Sequence, residues 1–167
     1  PPNVLVSLWP AFKFRPMLLE TNFRSPFLAP FAWVLQAIRV PDTDRASAES
    51  RKRAEAAVNE AIATLKGGEN VLLWPAGRLW REGVERVGGS RAVADILAAV
   101  PDVTVVLVRT RGLWGSRTSV AYTGERPDLI PTLAVGFFLL LANLFVFTPR
   151  RTVTQTLAAF GPADRPE

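Results

Sequence analysis

The 167-residue chain contains no cysteine and no histidine. Without cysteine it can form no disulfide and no thiolate metal site. Without histidine it holds no side chain that ordinarily titrates near neutrality, so the usual general base of transfer and hydrolytic enzymes is missing from it. A nucleophile would have to be serine, threonine or lysine working with no imidazole partner. Neither the dinucleotide glycine pattern nor the P-loop occurs, and the serine elbow of the α/β-hydrolases is also missing. Acidic residues are scattered without the spacing of a calcium loop, so neither a metal nor a cofactor is expected. No run of Lys and Arg resembles a nucleic-acid tail, and no nucleic-acid partner is expected.

What is present is apolar and basic. Hydrophobic residues make up 49% of the chain, with ten Phe and five Trp, and the mean hydropathy is +0.16. That is enough for one domain with a sizeable core, and it points to a protein that touches lipid or keeps a greasy surface. The net charge of +5 and the sequence pI of about 10.7 favour anionic partners, either phosphorylated molecules or an anionic membrane leaflet. The chain opens at Pro1-Pro2, with no initiating Met and no signal peptide, and reads as a piece excised from a longer polypeptide.

Periodicity and breakers predict alternating helices and strands. A first helix runs from Pro1 to Trp9 and stops at Pro10. Phe14–Leu19 reads as a strand, Phe27–Gln36 as an apolar helix, and Ala37–Val40 as a brief strand. Ser47–Lys66 is the clearest helix, capped by Ser47 and ended by Gly67-Gly68, with Ala54, Val58, Ala61, Ile62 and Leu65 inward. Val71–Trp74 is a strand. A helix capped by Ser90 runs to Val100, with Val93, Leu97 and Val100 inward. Val103–Arg109 is a further apolar strand, expected to lie parallel to Val71–Trp74 and buried in one βαβ unit. Leu133–Phe147 is nearly uncharged. As a helix of about 1.5 Å per residue it would be shorter than a bilayer core of about 30 Å. It is either a core helix or a segment dipping into one leaflet. Arg151–Phe160 is expected to close the sheet as an edge strand. The fold class read from this order is α/β, one domain over residues 1–167.

The stretch Val71–Gly83 organises the rest. A strand is halted by Pro75, and a glycine loop follows with Arg78 and Arg81. Ligands of open α/β sheets bind at the carboxyl ends of strands, and a guanidinium suits a phosphate there because its fork donates two hydrogen bonds at once. Arg15, Arg39, Arg109 and Arg111 are also expected near the ends of apolar strands, all on one sheet. A plain turn with solvated arginines is the competing reading.

This stretch resembles the third block of the glycerolipid acyltransferases, the 1-acylglycerol-3-phosphate acyltransferase family. That block follows a hydrophobic strand and reads Phe-Pro-Glu-Gly-Thr-Arg-Ser; Trp74, Pro75 and Gly77 keep its frame. Phe14-Arg15-Pro16 through Pro41-Asp42 is similar to the family's second region, and the likeness covers most of residues 1–112. It is nearest a divergent branch sometimes fused to an acyl-activating ligase, of which residues 113–151 resemble an insertion. There are departures. Ala76 stands in place of the block's glutamate and Leu79 in place of its arginine. Asp42 sits near the position of the second block's arginine, with Arg39 the nearest substitute, and Leu107 replaces a proline common in the fourth block.

The resemblance implies a mixed, largely parallel sheet flanked by helices, with an apolar membrane-associating insertion over 129–148. It implies transfer of a fatty acyl group from acyl-CoA or acyl carrier protein to a lysophospholipid or glycerol-phosphate hydroxyl. Gly77, Arg78, Arg81, Arg39 and Arg111 would be the residues that bind substrate, and the protein would work on the cytoplasmic face of a membrane. The family's His-x-x-x-x-Asp motif, expected to lie just before Pro1, is not in the chain, so the 167 residues alone are expected to be inactive. Two other readings are a non-catalytic lipid-binding domain of the same fold and a soluble module for a phosphorylated metabolite.

Overall fold

The computed structural model describes residues 2–26, 28–42, 47–75, 91–112, 124, 129–143 and 152–164. They divide into two compact units. The first comprises Pro1–Thr104 with Phe160–Glu167, and the second Val105–Ala159.

In the first unit, α1 (Pro2–Phe12) leads into β1 (Phe14–Leu19). Pro10 does not end α1, as expected from sequence, but lies inside it. Its ring costs one helical hydrogen bond two residues before the helix stops, where fewer bonds remain to be lost. After β1 come a 3₁₀ turn (Glu20–Arg24), the short helix α2 (Ala29–Val34) and β2 (Ile38–Val40). The long helix α3 (Ala48–Lys66) then leads to β3 (Asn70–Leu72), and α4 (Ala92–Ala99) follows. The three strands form one sheet in the order β2-β1-β3. Both pairings are parallel, with Met17 opposite Ile38 and Arg15 opposite Val71.

That strand order fixes where the helices go. The step from β1 to β2 moves outward, and the step from β2 to β3 returns across β1. Parallel crossovers are right-handed, so the two connections cover opposite faces. Side chains agree with this. Ile38 is fully buried in a cluster with Ala57 and Ala61 of α3, against which Met17, Val40 and Val71 pack. The neighbouring Arg39 points to the other face, its guanidinium 4.6 Å from the ring centre of Phe23 in the 3₁₀ turn.

Ser47 caps α3 as expected, accepting a hydrogen bond of 3.0 Å from the Ser50 backbone N–H. The buried line of α3 is Ser50, Ala57, Ala61 and Thr64, rotated from the predicted stripe, of which only Ala61 is buried. Small residues let this helix approach the sheet closely, while Val58, Ile62 and Leu65 pack along its flank. In α4 the buried residue is Ile96, with Val93 and Leu97 half-buried beside it. The predicted cap, Ser90, lies outside the described residues.

The second unit holds β4 (Val105–Arg111), α5 (Leu129–Ala142) and most of β5 (Thr154–Phe160). Here the βαβ expectation fails. β4 pairs with β5 in a separate two-stranded sheet, and β3 pairs with β1. β4 is not buried either: Leu107 is 56% exposed. Its apolar run fixed it as a strand but carried no information on its partner. Gly112, just past β4, lies so near Thr152, just before β5, that an added Cβ would collide with the Thr152 carbonyl. The end of one strand thus meets the start of the other, and the pair is antiparallel. The helix predicted over Leu133–Phe147 begins earlier, at Leu129, with Pro131 in its first turn; residues 144–147 lie outside the described residues. No helix among the described residues is long and apolar enough to cross a membrane.

Candidate functional site

The described polar site of the first unit is an open groove of about 390 Å³ along the outer flank of β2. Arg15, Phe23, Ala32, Trp33, Gln36 and Arg39 line it.

The two arginines are not equivalent. Arg15 is held on all sides: Nε donates to the Gln36 carbonyl at 2.8 Å, Nη1 to Thr64 Oγ1 at 3.0 Å, and Nη2 to Glu60 Oε1 at 2.7 Å. With its charge paired and each of its three nitrogens donating a bond, it ties β1 and the end of α2 to α3. Arg39 is exposed, and among the described residues its partner is the Phe23 ring. A guanidinium over an aromatic face keeps its outer N–H groups for an anion.

α2 shapes this groove through its ending. Gln36 has the left-handed φ of 48°. Its N–H donates to the Trp33 carbonyl and the Ala37 N–H to that of Ala32. This is the paired bond pattern that commonly closes a helix on glycine. The turn aims the Gln36 carbonyl at Arg15 and starts β2 two residues later.

Of the arginines and glycine singled out from sequence, Gly77, Arg78 and Arg81 lie outside the described residues. Arg39 is in β2 of the first unit. Arg111 ends β4 in the second unit, exposed and with no ion pair among the described residues. The expectation that these arginines follow strands of one sheet is therefore corrected: Arg39 and Arg111 belong to different sheets. Phe23 and Trp33 were missed as groove residues. Their one signal was aromatic content in a segment too short to make a core helix. No group of three or more Asp and Glu suited to a metal occurs among the described residues.

These observations define an α/β unit with a parallel three-stranded sheet and an exposed arginine in its edge strand β2. Comparison with protein-family models, curated proteins and solved structures finds no match for the chain.

Proposed function

We propose that residues 1–167 form the acceptor-binding part of a glycerolipid-type O-acyltransferase that works at the cytoplasmic face of a membrane. The observation that carries the reading is the strand order. With β1→β2 stepping one way and β3 lying on the other side of β1, the crevice beyond the carboxyl ends of β1 and β3 is a topological switch point, the place where such sheets bind ligands. β3 ends at Leu72, and the chain continues from there into Trp74-Pro75-Ala76-Gly77-Arg78, the block that resembles the family's phosphate-binding segment. Arg39, one residue from the carboxyl end of β2, adds a charge with no ion pair among the described residues.

In the proposed reaction the acceptor hydroxyl oxygen attacks the thioester carbonyl of acyl-CoA or acyl carrier protein. A C–O bond forms, the C–S bond breaks, the hydroxyl proton passes to a base and the departing thiolate is protonated. Gly77 lets the backbone approach the acceptor phosphate, and Arg78 and Arg81 hold it by charge-assisted hydrogen bonds. The histidine base that the resemblance implies is not among these residues; in this proposal the parent protein supplies it. A second reading, lipid binding without catalysis, is favoured by Ala76 at the position of the family's glutamate.

The test is acyl transfer by the intact parent protein to lysophosphatidate, with acyl-CoA as donor. Arg78→Ala with Arg81→Ala is expected to raise the KM for the acceptor about 10- to 100-fold, the equivalent of about 1.5–3 kcal/mol for a lost charged contact. The KM for the donor should change little. Equal effects on both substrates would overturn the phosphate role, and no transfer at all would favour the second reading.

A further inference from the structure

α2 is a helix with nothing polar in it. Its six residues read Ala-Pro-Phe-Ala-Trp-Val. A helix apolar on every side is ordinarily buried on every side, yet only Ala32 is buried here. Phe31 is 67% exposed, Trp33 81% and Val34 60%. With Pro30 they cover the outward half of the helix, and Leu28 extends the patch at its start. Two guanidiniums border it. Arg24 lies just before Ser25, whose carbonyl accepts from the N–H groups of Leu28 and Ala29 at the head of α2. It is largely exposed and only loosely paired with Glu20, at 3.4 Å. Arg39 lines the same groove as Trp33.

We infer that α2 is a docking surface for an anionic phospholipid bilayer, with Phe31, Trp33 and Val34 entering the interfacial layer and Arg24 and Arg39 meeting lipid phosphates. Composition and charge select this occupant. Trp beside Phe and Val suits the boundary between headgroups and acyl chains, where an amphipathic ring is at home. Arginine at the rim complements an anionic leaflet. A buried protein interface would leave Arg24 and Arg39 in need of carboxylate partners, whereas a lipid surface supplies phosphates to both. Trp33 and Arg39 line one groove, so a phosphate met by the guanidinium lies beside the ring that enters the interface. This rests on the membrane-surface reading above and names a contact of the first unit for it, separate from α5.

The experiment is flotation of the intact protein with vesicles of phosphatidylcholine alone and with phosphatidylglycerol added. Binding to the mixed vesicles is expected to fall at least tenfold in Phe31→Ser/Trp33→Ser. It should persist in Phe31→Leu/Trp33→Phe, which keeps the apolar surface. Arg24→Gln/Arg39→Gln should abolish the preference for phosphatidylglycerol. Brominated lipid should quench the wild type more than Trp33→Phe, a readout that does not require the serine variant to fold. Phe137→Ser/Phe138→Ser in α5 is the reference. If that variant loses binding while Phe31→Ser/Trp33→Ser binds as wild type and Trp33 is not quenched, the role of α2 is overturned and the membrane reading stands. If the wild type floats with neither vesicle, both fall. A soluble dimer that Phe31→Ser/Trp33→Ser turns into a monomer, with vesicle binding unchanged, would assign the patch to a second copy and overturn the proposal.

Discussion

Arg15 and Arg39 stand one strand apart in the same small sheet and have opposite fates. Arg15 is spent on structure, its three contacts reaching 21, 45 and 49 residues along the chain. Arg15→Ala is expected to lower unfolding stability by about 2 kcal/mol, since a hydrogen bond to a charged group contributes about 1.5–3 kcal/mol. Glu60→Ala should cost less, about 0–1 kcal/mol, because the Glu60 side chain is 49% exposed and its pair is screened. Urea midpoints of the two variants check the order, and a smaller loss for Arg15→Ala than for Glu60→Ala would refute it. Sequence could mark both arginines as lying in or near strands, since the apolar alternation around them is local. It could not tell them apart, because what neutralises Arg15 is brought to it only by the packing of α3.

At the level of elements, α2 and α3 end in the same way with different residues. α3 closes with Gly68 at φ 83°, its N–H bonded to the Leu65 carbonyl and the Glu69 N–H to that of Thr64. α2 closes with Gln36 in the equivalent position. Left-handed backbone costs a side-chain-bearing residue roughly 1–2 kcal/mol, and glycine gives back about 0.4–1 kcal/mol through the unfolded chain. Gln36→Gly is therefore expected to stabilise the protein by about 0.5–1 kcal/mol and Gly68→Ala to destabilise it by about as much, read as opposite shifts in thermal midpoint. Space is not at issue at Gly68, where an added Cβ meets nothing. Local grammar of this kind was legible: the Ser47 cap, the Gly67-Gly68 stop and the strand Phe14–Leu19 were all read from sequence and found in place. The partner of β4 was not, because strand pairing joins segments whose local patterns are alike. The inward face of α3 was legible in part: Ala61 is buried and Val58, Ile62 and Leu65 pack against the core, while the most buried line, Ser50, Ala57, Ala61 and Thr64, is selected by close packing of small residues on the sheet.

For the molecule as a whole, the net charge of +5 and two exposed apolar helices, α2 and α5, set what it can associate with. In α5, Phe137 is 56% and Phe138 70% exposed. The helix has 14 residues, about 21 Å at 1.5 Å per residue, so it can lie in an interface or dip into one leaflet but cannot cross a bilayer core. The parallel sheet places the carboxyl ends of three strands together, and that much of the candidate site followed from the order of elements. The pairing of Arg39 with Phe23 did not, since it depends on the face to which a single strand residue turns. Gly77, Arg78 and Arg81 lie outside the described residues, and the acceptor KM is the measure of the role proposed for them.

The near collision of Gly112 with Thr152 carries one more consequence. Because the backbone leaves β4 and rejoins β5 at nearly the same point, residues 113–151 form a detour whose two feet touch, and a detour of that kind can be exchanged for a short bridge without disturbing the road on either side. A Gly-Ser linker of a few residues in place of 113–151 should leave the thermal unfolding of the first unit unchanged while removing whatever lipid attachment α5 provides. The apolar helix is then cargo carried on a hairpin, free to lengthen, shorten or change its side chains while the parallel sheet of the first unit stays as it is.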